Sequence, residues 1–164
     1  MAEPAVGPGA PLAQPGADRE WLAAAIRLSE RCPPSEAAFS VGAVLVVPSG
    51  QVLATGYSRE TSDGDHAEEI ALRRAAGAEA KTTLAHATLF SSLEPCLHRK
   101  SRPTPCAELI FTAGLRRVVI AWREPPLFAQ GGGATWLASR GITVVELPEL
   151  APAAMAVNKH LLSR

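Results

Sequence analysis

The chain has 164 residues, 47% of them hydrophobic but only 5% aromatic, and its 16 basic and 16 acidic side chains cancel to a formal net charge of 0. That length suits one domain with a core of Ala, Val, Leu and Ile, and the charge balance speaks against an extended phosphate backbone, so nucleic acid is not an expected partner. No run approaches the ~20 apolar residues that cross a bilayer. Three cysteines with no secretory leader speak against a disulfide framework and for a reducing, cytoplasmic setting.

Residues 1–16 carry Pro4, Pro8, Pro11 and Pro15 with Gly7, Gly9 and Gly16, too little to bury, and read as a disordered tail ahead of a folded unit over 17–164. Asp18 to Arg31 has helical spacing through Trp21, Leu22, Ala25 and Ile26, and Pro33-Pro34 stops it. Val41–Val47 and Gln51–Tyr57 flank the turn Pro48-Ser49-Gly50 and predict a hairpin. Asp65 to Ala76 predicts a helix, with capping residues among Ser62-Asp63-Gly64-Asp65 and His66 and Glu68 in its first turn. Ala87–Ser92 predicts a third strand. Pro95 suits a first helical turn, which would put Cys96 at a helix N-terminus, where the dipole favours a thiolate.

A basic loop from Leu97 to Pro105 leads to a helix over Cys106–Ala113, closed by Gly114. Val118–Trp122 predicts a fourth strand, Ala134–Ser139 a short helix, Ile142–Leu147 a fifth strand and Leu150–Leu162 a closing helix. Strands alternating with helices after an initial hairpin imply a mixed sheet with helices on both faces.

The chemistry concentrates in His66-Ala67-Glu68, Ser92-Leu93-Glu94-Pro95-Cys96 and Cys106. One imidazole and two thiols make the ligand set of a catalytic zinc, one ion per chain, with the fourth position open to water. Such an ion lowers the pKa of water towards ~7. Glu68 lies two residues beyond His66, close to the metal yet free to move protons. A closed zinc staple lacks a fourth ligand, since Cys32, His86, His98 and His160 belong to other elements. Glu94 reads as a structural carboxylate. The Gly131-Gly132-Gly133 stretch reads as a plain loop.

His-x-Glu followed by Pro-Cys and a second Cys is the zinc-deaminase order, with the Glu as general acid and base. On these residues the chain resembles the cytidine-deaminase-like superfamily. Within it, the chain is similar to the pyrimidine deaminase domain of bacterial riboflavin-biosynthesis deaminase/reductases. Further matching stretches are Val41-Gly42-Ala43-Val44, Gly56-Tyr57, His98, Thr104-Pro105-Cys106 and Gly141-Ile142. Two features depart from that branch: Ala37-Ala38-Phe39 stands where it carries Pro-Asn-Pro, and nine residues separate Cys96 from Cys106.

The resemblance implies a three-layer α/β/α sandwich with a central five-stranded mixed sheet, and a zinc-dependent deaminase domain over 17–164. It implies hydrolytic deamination of an aminated pyrimidine-type ring, such as the riboflavin-pathway diaminopyrimidinone ribose phosphate. Deamination of cytidine, guanine or another aminated heterocycle stays open, as does a zinc-containing binding module without catalysis. Zinc falls to His66, Cys96 and Cys106 and proton transfer to Glu68. Substrate contacts fall to Phe39 by stacking, Ser92 through its carbonyl, and His98 and Arg102 from the basic loop. The expected partners are a small aminated base, nucleoside or nucleotide and further copies of the chain in a homo-oligomer, with no membrane.

Overall fold

The computed structural model describes residues 15–77 and 80–163. The expected tail therefore lies outside the described residues, except for Pro15 and Gly16, which form the start of helix α1 (Pro15–Ser29). Five strands follow: β1 (Gly42–Val46), β2 (Val52–Tyr57), β3 (Thr88–Ser91), β4 (Arg117–Ile120) and β5 (Thr143–Glu146). They form one sheet in the order β2-β1-β3-β4-β5. β1 pairs antiparallel with β2 and β3, whereas β3, β4 and β5 run parallel, as crossovers through α4 (Cys106–Ala113) and α5 (Gly133–Ser139) require. The central strands β1, β3 and β4 are buried along their whole length, which explains why apolar residues follow one another at Ala43–Val46, Leu89-Phe90 and Val118–Ile120 instead of alternating with polar ones.

Two glycines set the layers. Gly42 pairs with Tyr57 and Ala43 with Gly56, so Gly42 and Gly56 face opposite sides of the sheet. A Cβ on Gly42 would strike the Ala25 carbonyl of α1. A Cβ on Gly56 would lie 2.5 Å from the Ala67 carbonyl and 2.9 Å from the Ala71 nitrogen of α2 (Ala67–Ala75). The two helices thus press on the hairpin from opposite faces. α6 (Ala151–Val157) packs on α1, while α4 packs on α2 and α5 on α4, completing the three-layer sandwich with its five-stranded mixed sheet. Asp18 of α1 grips Arg117 of β4 through two buried bonds of 2.9 and 2.6 Å.

Four local expectations need correction. α2 begins at Ala67 and not at Asp65, and its N-cap position is His66, which makes no side-chain cap. The Asp65 carboxylate turns back to accept from the backbone N–H and hydroxyl of Thr61 and of Ser62, at 2.6 to 3.0 Å. Cys96 is not at a helix start, because its flanking backbone pairs elsewhere: Glu94 N–H with Trp122 O at 2.9 Å, and Cys96 O with Ala107 N–H at 3.0 Å. The closing helix breaks at Asn158, between α6 and α7 (Lys159–Leu162). There the buried Asn158 amide accepts from Ser40 N–H at 2.7 Å and donates to Ser40 O at 3.0 Å, tying the C-terminal layer to the segment before β1. A short helix α3 (Ala80–Leu84) also occupies a stretch for which no element was expected.

Candidate active site

Three elements converge at one end of the sheet. His66 comes from the N-cap of α2, Cys106 from the first residue of α4, and Cys96 from the loop after β3. Their ligand atoms all lie within 4.8 Å of one another. His66 Nδ1 is 3.4 Å from Cys96 Sγ and 3.6 Å from Cys106 Sγ. Two sulfurs and a nitrogen suit a borderline-soft ion such as zinc, and the cluster is buried apart from the imidazole, which is only partly covered.

The fold prepares charge at one of the two sulfurs, that of Cys96. Cys106 shares its S–H hydrogen with Cys96, which brings Cys96 down to about 4 and pushes Cys106 up. The Cys106 backbone N–H, at the start of α4, donates to Cys96 Sγ at 3.3 Å. The thiolate therefore gains the helix dipole of α4 from outside that helix. Arg99, its side chain only 2% exposed, brings Nη1 to 3.9 Å from Cys106 Sγ. Its Nη2 donates to Gly64 O at 2.7 Å, so the guanidinium is fixed between the basic loop and the turn before α2.

Glu68, in the first turn of α2, is 3% exposed. Burial, followed by the negative charge of Cys96, pushes its carboxyl up, against the opposing pull of His66 and Ser91. Ser91 Oγ lies 2.7 Å from Glu68 Oε1 and 2.8 Å from Leu93 O. A hydroxyl has one hydrogen, so it serves one of these oxygens at a time. With Glu68 ionised, Ser91 donates to it. With Glu68 protonated, Glu68 donates to Ser91, and Ser91 turns to Leu93 O. Glu68 thus keeps a partner in both states.

His66, Glu68, Cys96 and Arg99 line a cavity of about 470 Å³, within the range of small-ligand sites, whereas Cys106 and Ser91 lie buried off its wall. Phe39 and His98 also line it. Phe39 packs edge-on against Phe128 at 5.1 Å and Trp122 at 5.8 Å. Ser92 is not on the cavity wall: its Oγ accepts from Gly42 N–H at 3.0 Å, and its own N–H donates to Gly42 O at 3.0 Å. Arg102 also stands off the wall, with Nη2 3.1 Å from Asp65 and Nε 3.6 Å from Glu69. Lys100, from the same loop, does line the cavity.

Sequence reasoning missed Arg59 and Glu124, and it read Arg99, with Lys100 and Arg102, as a basic group for a ribose phosphate, whereas the structure draws Arg99 to Cys106. Arg59 has a left-handed backbone (φ 60) and clamps the cavity wall, donating to Pro33 O, Phe39 O and Ser40 Oγ at 2.7 to 3.1 Å. Such contacts lie 19 to 26 residues apart in sequence and carry no spacing signal. Glu94 clasps the far side, accepting from Glu124 N–H at 3.0 Å and Ala134 N–H at 2.8 Å. The glycine loop serves this closure, for a Cβ on Gly133 would run into the Pro95 carbonyl.

Comparison with known proteins agrees with this arrangement. Residues 15–122 match the model of the cytidine and deoxycytidylate deaminase zinc-binding region. The diaminohydroxyphosphoribosylamino-pyrimidine deaminase of Schizosaccharomyces pombe is 35% identical over 127 residues, covering 77% of this chain and 31% of the relative. The riboflavin biosynthesis protein RibD of Escherichia coli is 34% identical over 131 residues, 77% of this chain and 33% of that protein. Among solved structures, Acinetobacter baumannii RibD has a TM-score of 0.73 at 30% identity, over 90% of this chain and 40% of that one. The chain spans about a third of the length of these curated relatives. With zinc as the family's metal and His66, Cys96 and Cys106 close enough to hold one ion, the chain belongs to the cytidine and deoxycytidylate deaminase zinc-binding family.

Proposed function

We propose that the chain is a zinc-dependent hydrolytic deaminase of an aminated pyrimidine-type ring, acting on the diaminopyrimidinone ribose phosphate of riboflavin biosynthesis. One observation carries this reading: buried Glu68 lines a cavity of about 470 Å³ together with His66 and Cys96, and the ligand atoms of these two lie within 4.8 Å of that of the fully buried Cys106. The relatives' names support the choice of ring.

Zinc held by His66, Cys96 and Cys106 supplies Lewis acidity and makes water a nucleophile at neutral pH. Glu68 takes one proton from the attacking water and delivers it to a ring nitrogen, then takes the proton left on the added hydroxyl and passes it to the leaving amine as the C–N bond breaks and the C=O bond forms. Ser91 holds the carboxyl in place through both protonation states. Phe39 forms the wall against the ring, while Ser92, which stands off the wall, acts by pairing with Gly42 of β1. His98 and Lys100 take the phosphate at the cavity rim. Arg102, with its charge engaged by Asp65 and Glu69, acts by holding their loop.

The reading includes a cytoplasmic setting, supported by the free cysteines, and a homo-oligomer, supported by the resemblance. Among the described residues no helix is long and apolar enough to cross a membrane. A second reading, deamination of cytidine or guanine, is favoured by the apolar wall at Ala37, Ala38 and Phe39. A binding module without catalysis leaves the buried Glu68 without a purpose.

Ammonia release by zinc-loaded protein tests the reading. The diaminopyrimidinone ribose phosphate should be turned over well ahead of cytidine and guanine. Removing its phosphate should raise KM about tenfold or more, and Lys100→Ala should erase that difference. Preference for cytidine or guanine would contradict the reading.

A further inference from the structure

Among the described residues only two buried side-chain polar atoms lack a hydrogen-bond partner, and one is Oε2 of Glu124. Folded proteins pair nearly all such atoms, so an orphaned carboxyl oxygen is a costly feature that calls for an explanation. Glu124 lines the same cavity as Glu68, His66 and Cys96. Its backbone is fixed by the N–H bond to Glu94 at 3.0 Å and by the following Pro125-Pro126. The neighbouring cation, Arg123, is turned to Glu146 at 3.1 Å. Burial, and then the negative charges of Cys96, Glu94 and Glu68, push the Glu124 carboxyl up to about 8. The fold thus sets a second carboxyl on the cavity wall, gives its Oε2 no donor and surrounds it with like charge.

We propose that Glu124 is a specificity-determining carboxyl that accepts a hydrogen bond from a ring N–H next to the amine-bearing carbon, so that the site selects 2-amino-4-oxo-1,3-diazines over their 4-amino-2-oxo isomers. In the 2-amino isomer the reacting carbon lies between two ring nitrogens. One takes the proton that Glu68 delivers, and the other carries the hydrogen that meets Glu124 Oε2. In the 4-amino isomer the reacting carbon has one ring nitrogen and one C–H as neighbours, which leaves Glu124 dehydrated and unpaired. A site built to receive a polar hydrogen discriminates strongly against a ligand that lacks it. The inference rests on the deaminase reading above and narrows its substrate to one edge pattern.

The test compares zinc-loaded wild type with Glu124→Leu and Glu124→Gln on the diaminopyrimidinone ribose phosphate and on cytidine 5′-phosphate, with zinc content and melting temperature measured alongside. Wild type should favour the 2-amino ring by about 100-fold or more in kcat/KM. Glu124→Leu should lose about 100-fold on that ring, stay within about threefold on the 4-amino ring, hold one zinc per chain and melt about 2–4 °C higher because an orphan is gone. Glu124→Gln, which still offers a carbonyl oxygen, should retain much of the preference. Equal losses on both rings with a lower melting temperature would mark a structural role and overturn the inference. So would a Glu124→Leu variant that keeps the 2-amino ring within about threefold, although the deaminase reading would survive either result. A wild type that turns over only the 4-amino ring would end both.

Discussion

Replacing Glu94 with Ala probes how the cavity is held shut. Glu94 is 3% exposed and its two oxygens accept separate backbone N–H groups, Glu124 at 3.0 Å and Ala134 at 2.8 Å. Hydrogen bonds to a charged acceptor contribute about 1.5–3 kcal/mol each, so losing both costs about 3–6 kcal/mol. Ala134 is itself only 2% exposed, so water does not readily replace the lost acceptor there. The distant ion pair to Arg123, at 3.9 Å with Arg123 half exposed, adds little. Urea unfolding at saturating zinc, which keeps the binding contribution constant, should show a lower midpoint with an unchanged slope. Glu94→Gln keeps one acceptor oxygen and should fall between the two. A Glu94→Ala protein within about 1 kcal/mol of wild type would refute the clasp.

Gly56→Ala should force α2 off the hairpin, because the new methyl would meet the Ala67 carbonyl at 2.5 Å. A loss of about 1–3 kcal/mol is expected, and since His66 and Glu68 ride on α2, zinc affinity measured by competition with a chelator should fall as well. Asp65 is held down to about 2, the hydrogen bonds from Thr61 and Ser62 outweighing the burial that raises it. A depressed carboxyl stabilises the fold above its unfolded value near 3.8, and that contribution is lost as pH falls from about 4 to about 2. Wild type should therefore destabilise more steeply over that window than Asp65→Asn, as read by unfolding at stepped pH. Asp18→Ala should cost about 3–5 kcal/mol by stranding the buried Arg117, as measured by denaturant melts, whereas joint replacement of both by apolar residues should recover most of the loss.

Local patterns carried much of the fold. The hairpin at Pro48-Ser49-Gly50, the β-branched runs and the C-cap at Gly114 depend on neighbours in sequence, and Gly114 adopts the left-handed geometry its position requires. The errors arose where distant partners decide. Pro95 looks like a helix start, but Trp122 and Ala107 claim the backbone around Cys96. Asp65 looks like a cap, but its carboxylate closes the preceding turn. The apolar run from Leu150 hides a break that exists because Asn158 pairs with Ser40, 118 residues away.

At the site, the ligand trio follows from residue type and order alone. The spacing signal covers His66, Cys96 and Cys106 because soft ligands are few and three of them rarely gather by chance. Arg99, Arg59 and Glu124 gave no such signal. Arginines and glutamates are common surface residues, and only the fold shows Arg99 drawn up to Cys106 and Glu124 turned to the cavity.

Glu68→Gln tests the central claim most directly. It preserves the shape of the side chain and its ability to pair with Ser91, yet it cannot carry protons. The purified variant should hold one zinc per chain, melt close to wild type and release ammonia at least about a hundredfold more slowly, the scale of a lost general acid–base. Ammonia release at the wild-type rate from zinc-loaded Glu68→Gln would contradict the account.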